Sequence, residues 1–251
     1  MSSEKNSIFK APAGYRFTFE VCEVAIGAGD GGSGRFHKHD QLFTGDSAGV
    51  ILAWKTFSQQ PLFDLKHEGE IRSLKAAESH LLSASTDKTF RIWDTTSNDR
   101  SARIFSSDGI VTYCQVSHGG KWAISCSSDG VAKVAPINGN EPPIQLEHSG
   151  VVVSGEFSAD DHFIVTTSST EGFQVWGFGD EDQGIEKQTR ISMAGASISY
   201  AEFNPRREWI AVCGRGQAAK LGPHTGFSMI WDLFTEIDEW NKHVERWQLG
   251  D

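Results

Sequence analysis

The chain reads as an all-β protein built from about five repeated four-stranded units, the plan of a β-propeller, and three observations predict it. Tryptophans recur at a period near forty: Trp54, Trp93, Trp176 and Trp231, with Ala135 where a further one falls. The steps between these five markers are 39, 42, 41 and 55 residues, and propeller blades repeat every 40–45 residues or so. Ahead of each marker lies the same layout of short β-branched and aromatic runs, bounded by Gly, Asp, Ser or Asn. No 3.6-residue apolar period is sustained ahead of Leu233, which is strand-and-turn punctuation rather than helix. One such unit cannot bury both of its faces, so the units must stack on one another.

Each unit is expected to run strand a, strand b, a tight turn, strand c and strand d. The first, about 17–65, opens on the apolar run 21–26 and closes on a d strand at 61–65. The second, about 66–105, holds His67-Glu68-Gly69-Glu70-Ile71-Arg72-Ser73-Leu74, then His80-Leu81-Leu82-Ser83, a turn at Asp87 and a d strand at 102–105. The third, about 106–146, ends on 143–146. The fourth, about 147–191, starts at His148-Ser149-Gly150 and ends on 187–191. In the fifth, about 192–249, Ala201-Glu202-Phe203-Asn204-Pro205 leads to Trp209-Ile210-Ala211-Val212, with a d strand at 245–249. Its insertion carries Ile237, Trp240 and Val244 at three- and four-residue spacing, which predicts an amphipathic helix within 233–246. Residues 1–14 are expected to form a flexible tail, and 15–251 a single domain.

The stretch Ser83-Ala84-Ser85-Thr86-Asp87-Lys88-Thr89-Phe90-Arg91-Ile92-Trp93-Asp94 resembles the signature segment of a WD40 repeat, and weaker copies of it recur along the chain. The resemblance implies a WD40-type β-propeller. It also implies a buried hydrogen-bonded set in each blade: a His before strand a, a Ser or Thr on strand b, an Asp in the b–c turn and the Trp of strand c. Buried polar groups of a tight turn each need a partner. The second unit has the full set, His67, Ser83, Asp87 and Trp93. The fourth keeps His148, Thr166 and Trp176, with Thr170 at the Asp position. The first keeps Thr44 and Trp54, with Ala48 for Asp; the third keeps Ser125 and Asp129, with Ser107 for His and Ala135 for Trp. Trp122 is the candidate to fill the space that Ala135 leaves.

Ring closure is the irregular point. Residues 15–19 could supply a d strand from the N-terminal side, yet 245–249 also reads as one. Six d candidates for five a–b–c sets leave a surplus edge, which favours an incomplete or open ring, either an arc of a larger propeller or one completed by a partner or by self-association. The alternative is a closed ring of five or six blades with one d strand misread.

The Ser-His-Asp composition of the set also matches a catalytic triad. A hydrolase needs one such constellation in an open cleft; here it repeats with degradation, as a structural device does. The resemblance therefore implies a non-catalytic interaction scaffold or adaptor that binds partner proteins or peptides on a propeller face and assembles a multiprotein complex. The alternative is an enzyme, a hydrolase or metal-dependent lyase, on the same scaffold. By position, the partner face exposes Glu70 and Arg72, Ile110 and Thr112, Val151 and Val153, and Ser197 and Ser199. No cofactor and no metal set is expected.

A net charge of −10 disfavours a nucleic-acid backbone as partner and leans towards basic protein segments. Gly27-Ala28-Gly29-Asp30-Gly31-Gly32 spells a dinucleotide-type glycine motif, but no helical pattern follows it. His37-Lys38-His39-Asp40 lacks a third ligand of defined geometry, and Asp180-Glu181-Asp182 reads as a solvated loop. The four cysteines, Cys22, Cys114, Cys126 and Cys213, form no C-x-x-C pair. Cys114 and Cys126 fall on neighbouring strands of one unit, and reduced, buried thiols are expected. Residues 1–10 have no apolar core of a secretory signal, and no run is long enough to span a bilayer. An intracellular setting, cytoplasmic or nuclear, is expected.

Overall fold

The computed structural model describes residues 21–27, 41–55, 60–77, 79–170, 172–178, 185–191, 196–204, 209–216 and 225–232. Every regular element among them is a strand, and none of these residues forms a helix long and apolar enough to cross a membrane. The first sheet holds β1 (Val21–Gly27), β2 (Gln41–Asp46), β3 (Val50–Lys55) and β4 (Phe63–Lys66) in that order. The second holds β5 (Ile71–Ala77), β6 (His80–Ser85), β7 (Thr89–Asp94) and β8 (Ala102–Ser106). The third is β9 (Val111–Val116), β10 (Trp122–Ser127), β11 (Val131–Pro136) and β12 (Ile144–Glu147). The fourth is β13 (Val152–Phe157), β14 (Phe163–Ser168), β15 (Gly172–Phe178) and β16 (Ile185–Ile191). The fifth has three described strands, β17 (Ala196–Phe203), β18 (Trp209–Gly216) and β19 (Thr225–Asp232). Each sheet is an antiparallel meander, as short connections between consecutive strands require.

Consecutive sheets stack through their first strands: β1 lies against β5, β5 against β9, β9 against β13 and β13 against β17. The first strands are thus the inner ones and β4, β8, β12 and β16 the outer ones. Among the described residues no strand pairing joins the fifth sheet to the first. The expected strands at 15–19 and 245–249, and the expected helix within 233–246, lie outside the described residues.

Stacking explains the composition of the second strand in the three sheets that lie between two others. Sandwiched there, it is buried on both faces, and β6, β10 and β14 are buried at every position but the first. Alternation then sends successive residues into different cores. Leu81 joins Phe43, Ile51, Ile71 and Trp93 between the first and second sheets. Leu82 joins Phe90, Ile92, Val111 and Ala135 between the second and third. Ile124 meets Leu146, Val152, Ile164 and Trp176 between the third and fourth, and Val165 meets Phe173, Ile198, Phe203 and Ile210 between the fourth and fifth. Each fully buried Leu, Ile or Phe contributes about 1.5–3 kcal/mol by transfer from water, so the fold is held by four inter-sheet cores rather than by a single one.

The same alternation corrects the expectation for Trp122. The marker position on the third strand faces the preceding sheet in the second and fourth sheets, where Trp93 and Trp176 occupy it. Ala135 accordingly sits in the core between the second and third sheets, where Ile137, Phe105 and Val116 supply the apolar surface. Trp122 packs on the core beyond the other face of the third sheet, so it cannot fill the space left at Ala135. Cys114 and Cys126 are likewise separated into those two cores, and neither is in a disulfide. Burial pushes the Cys126 thiol up, which makes it inert.

The turn joining the second and third strands places one residue in the left-handed region. Glycine occupies it in the first sheet (Gly49, φ 81°) and the third (Gly130, φ 90°), but in the second it is Lys88 (φ 67°). An L side chain with a Cβ is disfavoured there. Lys88→Gly is therefore expected to stabilise the protein by about 0.5–1 kcal/mol, read as a higher urea midpoint with an unchanged slope. An unchanged or lower midpoint would show that Lys88 is not strained.

Candidate functional site

The end of the sheets that carries these turns is also where the chain passes from one sheet to the next. The N–H groups of His67, Ser107 and His148 donate to the carbonyls of Gly49, Lys88 and Gly130 at 2.9, 2.9 and 2.8 Å, extending each outer ladder by one step. The chain then crosses to the next inner strand. The crossing runs so close to the next turn that a Cβ on Gly69 would lie 2.7 Å from the Asp87 nitrogen, and one on Gly109 2.4 Å from the Asp129 nitrogen. Only glycine permits that approach.

In the second sheet the crossing is locked by a buried relay. The Trp93 indole N–H donates to Ser83 Oγ at 2.8 Å, and Ser83 Oγ lies 2.6 Å from His67 Nε2. His67 Nδ1 lies 2.8 Å from Asp87 Oδ2. Since a carboxylate only accepts, Nδ1 carries the proton, and Nε2 accepts from the Ser83 hydroxyl. Asp87 also accepts from the Thr89 hydroxyl at 2.6 Å, the Thr89 N–H at 2.9 Å, the Glu68 N–H at 3.1 Å and Arg91 Nη2 at 3.2 Å. Arg91 reaches the Lys66 carbonyl at 2.8 Å and lies over the Trp93 ring. Burial pushes the Asp87 carboxyl up, but hydrogen bonds from Thr89, His67 and Glu68 outweigh it and bring the pKa to about 2. Burial holds His67 below its ordinary value, against the opposing pull of Asp87. His67 enters from the end of the first sheet and Ser83, Asp87 and Trp93 belong to the second, so the relay ties two sheets together. Neither His67 nor Ser83 exposes any surface.

The other sheets solve the same problem with different residues. In the fourth, His148 Nε2 lies 3.0 Å from Thr166 Oγ1, which accepts from the Trp176 indole at 2.8 Å. The Asp partner is absent there, and Gln174 on β15 meets His148 Nδ1 at 3.0 Å instead. In the third, Asp129 accepts from the N–H groups of Asp108, Gly109 and Val131 at 2.8, 3.2 and 3.0 Å. Burial raises its pKa, and the amides of Val131 and Gly109 reverse the shift, holding it low. In the first, Trp54 donates to Thr44 at 3.0 Å, and Asp46 Oδ1 accepts from the Ala48 and Val50 amides at 2.9 and 2.8 Å. Asp46 thus caps a turn that the sequence pattern assigned to position 48, and it lies inside the turn machinery rather than outside it.

Around this end stand the eight residues expected at a partner face. All five inner strands carry a β-bulge near their start, between Val21 and Glu23, Ile71 and Ser73, Val111 and Tyr113, Val152 and Ser154, and Ile198 and Tyr200. Arg72, Thr112, Val153 and Ser199 are the extra residues of four of these bulges. Such a bulge re-aims a side chain. Arg72 and Ser199 are exposed, Thr112 and Val153 half-buried. Just before them, the carbonyls of Glu70, Ile110 and Val151 accept from the N–H groups of Thr86, Ser128 and Ser169. That pinning leaves Ile110 and Val151 exposed at 39% and 38%. Arg72 pairs with Glu70 at 3.2 Å in solvent, and Ser197 is exposed beside them. Bulges were not legible in the one-letter pattern, because the strand on either side keeps its composition. The segments at 28–34, 37–40 and 180–182 lie outside the described residues.

Because Asp87 satisfies donors from two sheets, Asp87→Ala is expected to cost about 1–3 kcal/mol. Asp64→Ala, on the exposed face of β4, is the appropriate control and should change the urea midpoint little. Equal midpoints for the two variants would contradict the assignment. Asp46→Ala is expected to fall nearer to Asp87→Ala, since it frees two turn amides.

Residues 59–94 and 99–134 each match the WD domain, G-beta repeat. Each match runs from the outer strand of one sheet through the first three strands of the next, so the sequence repeat straddles the structural blade. Apoptotic protease-activating factor 1 of Homo sapiens is 24% identical over 137 residues, which is 54% of this chain and 11% of that protein. The Rattus norvegicus protein of the same name is 23% identical over 180 residues, 69% of this chain and 14% of its own length. ASTRA-associated protein 1 of Candida tropicalis is 36% identical over 56 residues, 22% of this chain and 16% of that protein. The chain thus spans a small fraction of the length of these relatives. The stretches 59–94 and 99–134 are thus two adjacent WD40 repeats, set among stacked antiparallel sheets.

Proposed function

We propose that the chain is a non-catalytic interaction scaffold that binds partner proteins or peptides across the mouth formed by the bulged ends of its inner strands. The observation that carries this reading is the row of side chains that the bulges present together: the Glu70–Arg72 pair, then exposed Ile110 and Val151, then Ser197 and Ser199. Apolar anchors flanked by polar groups suit a peptide contact. The acidic balance of the chain favours partner segments that carry Lys or Arg. WD40 repeats generally serve protein interaction, which supports the reading, and assembly of a multiprotein complex is part of the same proposal. Buried Cys114 and Cys126, both in the thiol form, suit a reducing, intracellular setting, cytoplasmic or nuclear.

The triad-like relay does not favour the hydrolase alternative. Ser83 Oγ is sealed from solvent and holds the Trp93 N–H, so a substrate carbonyl has no path to it. A nucleophile needs an open site with oxyanion donors beside it.

Affinity purification with mass spectrometry, followed by titration of a recovered partner, tests the face. The double variant Ile110→Glu/Val151→Glu should weaken binding at least about tenfold. Lys121→Glu, exposed at the opposite end of the sheets, should bind as the parent chain does. Equal affinity for all three chains would rule out this face.

A further inference from the structure

Glu156 on β13 is 6% exposed and belongs to none of the turn relays. Its carboxylate gathers donors from both neighbouring blades. The Tyr113 hydroxyl and the Gln115 amide, both on β9, donate to it, the amide at 3.2 and 3.0 Å to its two oxygens. The Tyr200 hydroxyl on β17 donates to Oε1 at 3.0 Å. One side chain therefore joins the inner strands of three successive sheets. The carboxylate already accepts four hydrogen bonds, so it is a satisfied junction rather than an open receptor for a cationic ligand. The seam between the second and third sheets has no such carboxylate. At the positions matching Tyr113 and Gln115, β5 carries Ser73 and Lys75. Ser73 meets β9 through the Cys114 carbonyl at 3.5 Å and the Cys114 sulfur at 3.6 Å.

The donors sit directly beside the bulged residues: Tyr113 follows Thr112, Tyr200 follows Ser199, and Val153 lies on the same strand as Glu156. We propose that Glu156 is a clasp that holds the third, fourth and fifth inner strands in fixed relation and so sets the spacing of Thr112, Val153 and Ser199 at the mouth. The link to partner recognition rests on the reading of that mouth given above; the clasp itself does not. Both phenols respond to the junction. Burial raises the Tyr113 and Tyr200 hydroxyls well above the ordinary tyrosine range, and the Glu156 charge and its hydrogen bonds raise them further.

Glu156→Gln removes the charge and sets an amide donor against the Gln115 donor. Amide hydrogen exchange and phenolate absorbance, read on the intact chain without any partner, test the clasp. Exchange at Thr112, Val153 and Ser199 should speed up together by about tenfold or more, with the amides of β6 unchanged. The two buried phenols should titrate at least about one pH unit lower, assigned with Tyr113→Phe and Tyr200→Phe. If exchange at the three residues is unchanged while the chain stays folded, the clasp is wrong. If Glu156→Gln fails to fold, Tyr200→Phe decides alone. It removes one donor, and faster exchange at Thr112 and Val153 as well as Ser199 supports the clasp, whereas a change confined to Ser199 overturns it. Loss of partner binding by Ile110→Glu/Val151→Glu is read separately, so either idea can fail without the other.

Discussion

Everything in this fold depends on how the chain crosses from one sheet to the next without leaving polar groups stranded. A sheet stacked between two others buries both faces of its second strand, and at the second sheet that burial closes over the crossing as well. The crossing between the first and second sheets then presents donors and acceptors that water no longer reaches, and each one left unmade costs about 1–3 kcal/mol. The His67–Ser83–Asp87–Trp93 relay satisfies them between the first and second sheets by running donors in one direction: indole to hydroxyl, hydroxyl to imidazole, imidazole to carboxylate. A chain of this kind strengthens each of its members. It also fixes the hand-over between sheets, because His67 belongs to one and the other three to the next.

That constraint links fold to function. Holding the crossings rigid holds the ends of the inner strands rigid, and the bulges there turn Arg72, Thr112, Val153 and Ser199 out of the ladder. Ile110 and Val151 remain exposed because their own carbonyls are engaged in bonding the neighbouring turns. A large apolar side chain kept in water by its backbone's commitments is a ready contact for another molecule. The mouth is thus a by-product of how the sheets are joined, tuned by the residue placed at each bulge.

The repeat was legible in the sequence because its cause is periodic. A sheet stacked between two others needs a strand buried on both sides, a tight turn and a side chain packed on the previous sheet, as Trp93, Ala135 and Trp176 are, and these needs recur at a nearly constant step. The residues of the second relay were legible for the same reason. What could not be read were jobs moved to another position. Asp46 caps its turn from the strand rather than from position 48, and Gln174 meets His148 from β15 where Asp is absent. A hydrogen bond demands a donor and an acceptor at the right distance, not a fixed register. Trp122 was misassigned because strand alternation, not sequence proximity, decides which core a residue enters. The Glu156 junction was invisible because its partners lie 41 to 44 residues away, on two other sheets.

The claim at the centre is that His67 is a buried, neutral link whose Nδ1 proton is held by Asp87. Nitrogen-detected nuclear magnetic resonance of the histidine side chains across a pH titration measures this directly. His67 is expected to stay in the Nδ1–H form and to gain a proton only below the ordinary histidine range near pH 6.5. A His67 that titrates in or above that range, or that carries its proton on Nε2, would contradict the account.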